Sequence, residues 1–192
     1  MFQSPEDTLS QYLDPGERLL WSGQPRPGIH LRGQDVFLIP FSLLWGGFAI
    51  FWEYMALTLP RKAPGPIGIV FPLFGLPFVA VGLYIIFGRF IVDARVRSRT
   101  YYGVTDERII IVRGLFFRQT KSLQLRSLAD VTFSQRSNGS GTITFGQPPF
   151  MGGMFFPTGS WPGTGRFAPP SFDFIERAKE VYDIIRNAQR TA

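Results

Sequence analysis

The sequence predicts a membrane protein of α+β class: a two-helix transmembrane hairpin, then an antiparallel β-sandwich or barrel capped by a C-terminal amphipathic helix. Three observations predict it. Two long stretches carry no charge, the chain beyond them breaks into short β-forming runs with tight turns, and its C-terminal stretch places apolar residues at helical spacing. Charged residues make up 18% of the chain, against roughly 25% in an ordinary soluble protein, and aromatics reach 16%. That much apolar surface collapses rather than staying disordered.

Residues 1–35 read as a cytoplasmic N-terminal segment, and residues 36–88 as the hairpin. The first helix covers about 36–57. Val36 to Trp52 is free of charge, Glu53 ends that run near the far headgroups, and Trp52 and Tyr54 suit the interface. The second helix covers 67–88, and Ile67 to Gly88 is again uncharged. At 1.5 Å per residue this second run extends roughly 33 Å, enough for a hydrocarbon core of about 30 Å. The run Leu59 to Pro66, with three prolines, breaks helices and makes the spans antiparallel neighbours. The first apolar run follows a polar segment and lacks a small-residue cleavage pattern, unlike a signal peptide. Arg18, Arg26, Arg32, Arg89, Arg95, Arg97 and Arg99 flank the hairpin, whereas only Arg61 and Lys62 lie between its helices. The imbalance predicts a multi-pass protein of the cytoplasmic membrane with both termini in the cytoplasm.

Small residues recur on each span: Ser42, Gly46 and Ala49 on the first, Gly68, Gly75 and Gly82 on the second. Such stripes let membrane helices approach closely, either within one hairpin or against a second copy. Neither charge-free run holds a carboxylate, Lys or His, so no proton or ion path is visible.

Residues 89–192 read as the cytoplasmic domain. Thr100 to Thr105 is rich in β-formers, Thr105-Asp106-Glu107 is a turn, and Arg108 to Arg113 is a nearly all-apolar strand, with Gly114 marking the next turn. Leu115 to Leu125 alternates loosely. Ala129 to Phe133 and Thr142 to Phe145 read as strands around a turn at Ser137 to Gly141. Residues 146–170 hold six Pro and six Gly among many aromatics, which predicts an irregular loop that packs on the sheet, touches the membrane or stays disordered. A helix is predicted over 171–189, with Ser171 as N-cap and Phe174, Ala178, Val181, Ile185 and Ala188 on its apolar face.

The order of motifs resembles membrane-anchored bacterial pleckstrin-homology (PH)-like proteins. Tyr102-Gly103-Val104-Thr105-Asp106-Glu107-Arg108-Ile109 with Arg113-Gly114-Leu115-Phe116 is similar to their domain signature. Leu13-Asp14-Pro15-Gly16-Glu17-Arg18-Leu19-Leu20-Trp21-Ser22-Gly23-Gln24-Pro25 resembles the lead-in to their membrane helices, and Phe174-Ile175 with Val181 to Ile185 resembles the closing helix. The resemblance implies a membrane-tethered PH-like domain without assigned enzymatic activity. Phosphoinositide binding does not carry over, because the first hairpin turn holds Asp106 and Glu107 where lysines and arginines would be needed.

Thr105, Asp106, Glu107, Arg108 and Gly114 read as fold-determining, with Thr105 bonding within the turn and Arg108 pairing with Asp106 or Glu107 or with an exposed edge. Arg95, Arg97 and Arg99, if extended, emerge on one face beneath the membrane and with Arg89 form a candidate contact for anionic lipid headgroups; the same residues also serve as a plain topology signal.

Catalytic and metal sites are not expected, nor is a cofactor. The chain has no Cys and one His, His30, which excludes thiol nucleophiles and histidine-rich metal sites. The carboxylates of the soluble part lie in turns or on the exposed helix face, without a pairing suited to acid–base work. Net charge is +6, and ten basic against four acidic residues occupy 89–136, yet no nucleic-acid-reading motif accompanies them. Nucleic acid is therefore not an expected partner. Two readings remain: a non-enzymatic membrane protein presenting a PH-like binding or scaffolding domain to an unknown protein or peptide, or a self-assembling membrane protein that oligomerises through glycine stripes or a sheet edge.

Overall fold

The computed structural model describes residues 4–28, 35–58, 67–114, 118–128, 130–136, 139–146 and 169–191, with backbone only at 67–69 and 71. Among these, α1 is Pro5–Ser10, β1 Leu19–Gly23, α2 Asp35–Thr58 and α3 Ile67–Leu83, followed by a wide π turn at Tyr84–Gly88 and by α4, Arg89–Ser98. Six strands come next: β2 Tyr101–Thr105, β3 Arg108–Arg113, β4 Gln119–Gln124, β5 Val131–Gln135, β6 Gly141–Phe145 and β7 Ser171–Ile175. A closing helix, α5, spans Ala178–Thr191. The predicted connection at 59–66 and most of the loop at 146–170 lie outside the described residues.

The chain divides into two compact units: Met1–Gly28 with Ala94–Ala192, and Ile29–Asp93. The sequence suggests a separate N-terminal segment, but the structure builds it into the first unit. β1 pairs antiparallel with β2, from Leu19 opposite Thr105 to Gly23 opposite Tyr102, and the sheet continues to β3 and β4. β5, β6 and β7 form a second antiparallel sheet. Between the sheets and α5 lies one core of Tyr102, Val104, Ile109, Ile111, Leu125, Ile143, Phe145, Phe172, Ile175, Val181 and Ile185. Phe172 is its hub, stacked on Tyr102 at 4.6 Å and edge-on to Phe145 at 5.1 Å between ring centroids.

The unbroken apolar run of β3 has a simple cause. Alternate residues point to opposite faces: Ile109 and Ile111 enter the main core, while Ile110 and Val112 join Leu9 in a second cluster. α1 therefore covers the sheet's outer face. A Cβ on Gly103 would approach Leu9 Cδ1 to 3.1 Å, so glycine lets that helix settle closely.

The predicted helix over 171–189 starts later. Ser171–Ile175 is a strand, with Ile143 opposite Phe172 and Gly141 opposite Ile175. Phe172 and Ile175, three apart, fit helical spacing; in the strand a register shift beside β6 and the φ of 53° at Phe174 bring both into the core. Arg177, at φ 49°, separates the strand from α5. The second predicted span is also longer, since helix continues through the π turn to Ser98.

In the second unit α2 and α3 run antiparallel, as Gly46 meets Gly82 while Glu53, further along α2, meets Gly75, earlier on α3. Both helical stretches, Asp35–Thr58 and Pro72–Ser98, are long and apolar enough to cross a membrane by length and composition. Their large apolar side chains point outward: Phe37 is 79% exposed, Leu44 75% and Phe74 64%.

Candidate functional site

The turn between β2 and β3 organises the first unit. The Thr105 hydroxyl accepts hydrogen bonds from the backbone N–H of Glu107 (3.2 Å) and Arg108 (2.9 Å), closing the turn as the sequence suggests. The same hydroxyl donates to Glu17 Oε1 at 2.6 Å. Arg108 does not pair with Asp106 or Glu107. Its Nε and Nη2 donate to the two carboxylate oxygens of Glu17 at 2.9 and 2.8 Å, and Nη2 also meets Asp14 Oδ2 at 2.8 Å and the Tyr12 carbonyl at 3.0 Å. Asp106 instead faces β1: it accepts from the Arg18 backbone N–H at 2.9 Å and pairs with Arg18 Nε at 3.2 Å.

The Glu17 side chain is only 1% exposed. Burial alone would favour its neutral form, yet hydrogen bonds from Arg108, Thr105 and the Asp14 backbone outweigh burial and hold its carboxyl below the usual range. Arg108 is raised in turn, chiefly by its hydrogen bond to Glu17. Asp106 is lowered, first by the Arg18 backbone N–H. The arrangement is a clasp: it ties the segment before β1 to the turn after β2. Gly114, with φ 155°, follows β3 directly.

In the helix pair, Ser42 and Ala49 are buried, and Gly46 and Gly82 touch backbone to backbone. A Cβ on Gly82 would lie 3.1 Å from Gly46 Cα, and one on Gly46 would lie 2.6 Å from Ile86 Cδ1. A Cβ on Gly75 would collide with the Glu53 carboxylate. Gly46 and Gly82, one from each small-residue stripe, thus face each other within one helix pair, whereas Gly75 faces Glu53. Gly68 falls in α3, where the surroundings of the first residues lie outside the description.

The arginines after the second span differ from the sequence reading. Residues 89–98 are helical, not extended. Two residues turn a helix by about 200°. Arg95 and the following Arg99 are exposed, while Arg97 is 4% exposed, with its guanidinium 5.4 Å from the Phe174 ring. Arg136 lies 4.8 Å from that ring. Arg97 therefore belongs to the core side of the domain and is not part of a basic surface. Arg89 pairs with Asp35, Nη1 to Oδ1 at 2.9 Å.

A family model described as a bacterial PH domain matches residues 55–189, well over half of the chain. The chain belongs to the bacterial PH domain family. No curated protein and no solved structure matches it. The family match begins within α2, whereas the PH unit itself also takes in α1 and β1 from ahead of the helices. Among the described residues no group of three or more His, Asp or Glu side chains is placed to hold a metal ion.

Sequence reasoning names Thr105 and Arg108 in this PH domain but gives no role to Glu17 or Asp14, which stand some ninety positions away from them. The signal was present as Pro15-Gly16-Glu17: a glycine at φ 90° ahead of a glutamate whose carboxylate folds back to accept from Asp14 N–H at 2.8 Å.

Proposed function

We propose that this PH-domain protein is an integral, multi-pass protein of the cytoplasmic membrane, and that its hairpin presents the domain at the cytoplasmic face as a non-enzymatic binding or scaffolding module for a protein or peptide. One observation carries the reading. β1 precedes the two apolar helices and β2 follows them, yet the two strands are paired neighbours in one sheet. A chain that leaves the domain, crosses lipid and returns must cross an even number of times, and two helices supply that number. The excess of arginine beside the spans favours the cytoplasm as the side of return.

The outward apolar residues of α2 and α3 support a lipid environment, since a soluble protein rarely exposes apolar patches of that extent. Arg95 and Arg99 are the arginines suited to attract anionic headgroups. Self-assembly is the weaker reading, because the small residues that would receive a second copy are already occupied by helix–helix packing. Cross-linking in native membranes followed by purification tests the choice: a distinct co-purifying protein supports the binding module, and products containing this chain alone support self-assembly.

A further inference from the structure

We propose that the Nε–Nη2 edge of Arg89 is a phosphate-binding fork, taking two oxygens of one phosphate group at the end of the helix pair. The inference rests on the membrane reading only for the source of that phosphate. Asp35 is the first residue of α2 and Arg89 the first after the π turn, and their side chains are 8% and 15% exposed. Asp35 contacts Arg89 end-on, through Nη1 alone. Nε and Nη2 are buried and have no hydrogen-bond acceptor among the described residues.

Arg108 provides the internal comparison. It uses this same Nε–Nη2 edge to grip both oxygens of Glu17. A guanidinium presents two parallel N–H bonds along that edge, spaced for the paired oxygens of a carboxylate or phosphate. At Arg89 no carboxylate among the described residues takes it. Phe90 lies against the guanidinium at 4.4 Å from its ring centroid, a stacking contact that supplies no hydrogen-bond acceptor to Nε or Nη2.

The backbone is unusual at the same place. The Arg89 N–H bonds to the Tyr84 carbonyl five residues back, and the Tyr84 ring lies over Gly88, where a Cβ would come within 2.7 Å of it. Such wide turns are uncommon and are frequently found at functional sites. Asp35 and Arg89 also stand immediately outside the two charge-free runs, Val36 to Trp52 and Ile67 to Gly88. In a bilayer that is headgroup depth, where the abundant two-oxygen acceptor is lipid phosphate. Because Asp35 neutralises the pair, the fork selects by hydrogen-bond geometry, and zwitterionic and anionic phospholipids both qualify. Both free nitrogens are enclosed, so entry requires neighbouring side chains to move, which favours slow exchange and retention through purification.

The full chain, purified in detergent, is examined by native mass spectrometry after addition of phosphatidylglycerol, of a phosphate-free galactolipid, or of inorganic phosphate. Retention of one phosphatidylglycerol per chain, with about tenfold weaker retention of the galactolipid, is the expected result. Arg89→Lys keeps the charge but removes the fork, and should lose the preference, whereas Arg95→Gln/Arg99→Gln should keep it. Arg89-dependent uptake of inorganic phosphate alone also supports the fork and assigns its source to the free ion. Equal retention of both lipids by the native chain, with no phosphate uptake, overturns the proposal without needing any variant. Extraction of the chain by carbonate would instead defeat the membrane reading and leave the phosphate arm to decide the fork.

Discussion

The PH unit and the helix pair solve opposite packing problems within one chain. The PH unit hides its large side chains: Phe172, Ile143 and Ile185 are all 0% exposed. The helix pair does the reverse, turning Phe37, Leu44 and Phe74 outward and meeting across Gly46, Gly82, Ser42 and Ala49. In water the burial of large apolar groups drives folding, at about 25 cal/mol per Å². In lipid that drive between helices disappears, and close backbone approach takes over. If the helix pair lies in lipid as proposed, the same residue type, Phe above all, reports on its solvent by where it points.

The largest break in that contrast comes from truncating the hub of the PH unit. Phe172→Ala should destabilise it by about 3–5 kcal/mol in thermal or denaturant unfolding, whereas Phe74→Ala should change helix-pair stability by less than about 0.5 kcal/mol. Equal losses at the two positions would mean that the helices share a water-excluded core of the ordinary kind.

The clasp is next in size. Glu17→Gln takes the two-oxygen partner from Arg108 and leaves it only the more exposed Asp14 carboxylate as counter-ion, which should cost about 1–3 kcal/mol in unfolding of the PH unit. Its pH dependence has a definite sign. The Glu17 carboxyl is held below its ordinary range when folded, so its contribution is full above the unfolded value and is lost as pH falls through the folded one. Acid should therefore weaken the native chain more steeply than the Gln variant, and parallel curves would show that Glu17 is not the responsible group.

A smaller effect sharpens the other side. Gly82→Leu should separate α2 from α3, read as faster proteolysis of the helix pair, while the melting of the PH unit moves by less than about 0.5 kcal/mol.

Much of this was legible in the sequence, for physical reasons. Lack of charge over a bilayer-length run and seven-residue glycine spacing are local signals, and the strands from Tyr101 to Arg113 are announced by composition and turn chemistry. What stayed hidden depends on distant partners. Phe172 and Ile175 satisfy helical spacing, and it is pairing with β6, with a register shift between them, that makes them strand. Arg95, Arg97 and Arg99 alternate like a strand, but the preceding helix runs on past Arg95 and Arg97 to Ser98. Glu17 and Arg108 meet across the inserted helices, a contact that no local pattern encodes.

The central claim is that a membrane hairpin is inserted between two paired strands, and single-cysteine labelling tests it directly because the native chain has no Cys. Gln11→Cys, Ala63→Cys and Gln119→Cys are treated in intact cells with a membrane-impermeant maleimide. The insertion predicts labelling at position 63 alone, with positions 11 and 119 reacting together only after the membrane is opened. Labelling of 11 and 119 on opposite sides, or recovery of the chain in the soluble fraction, would contradict it.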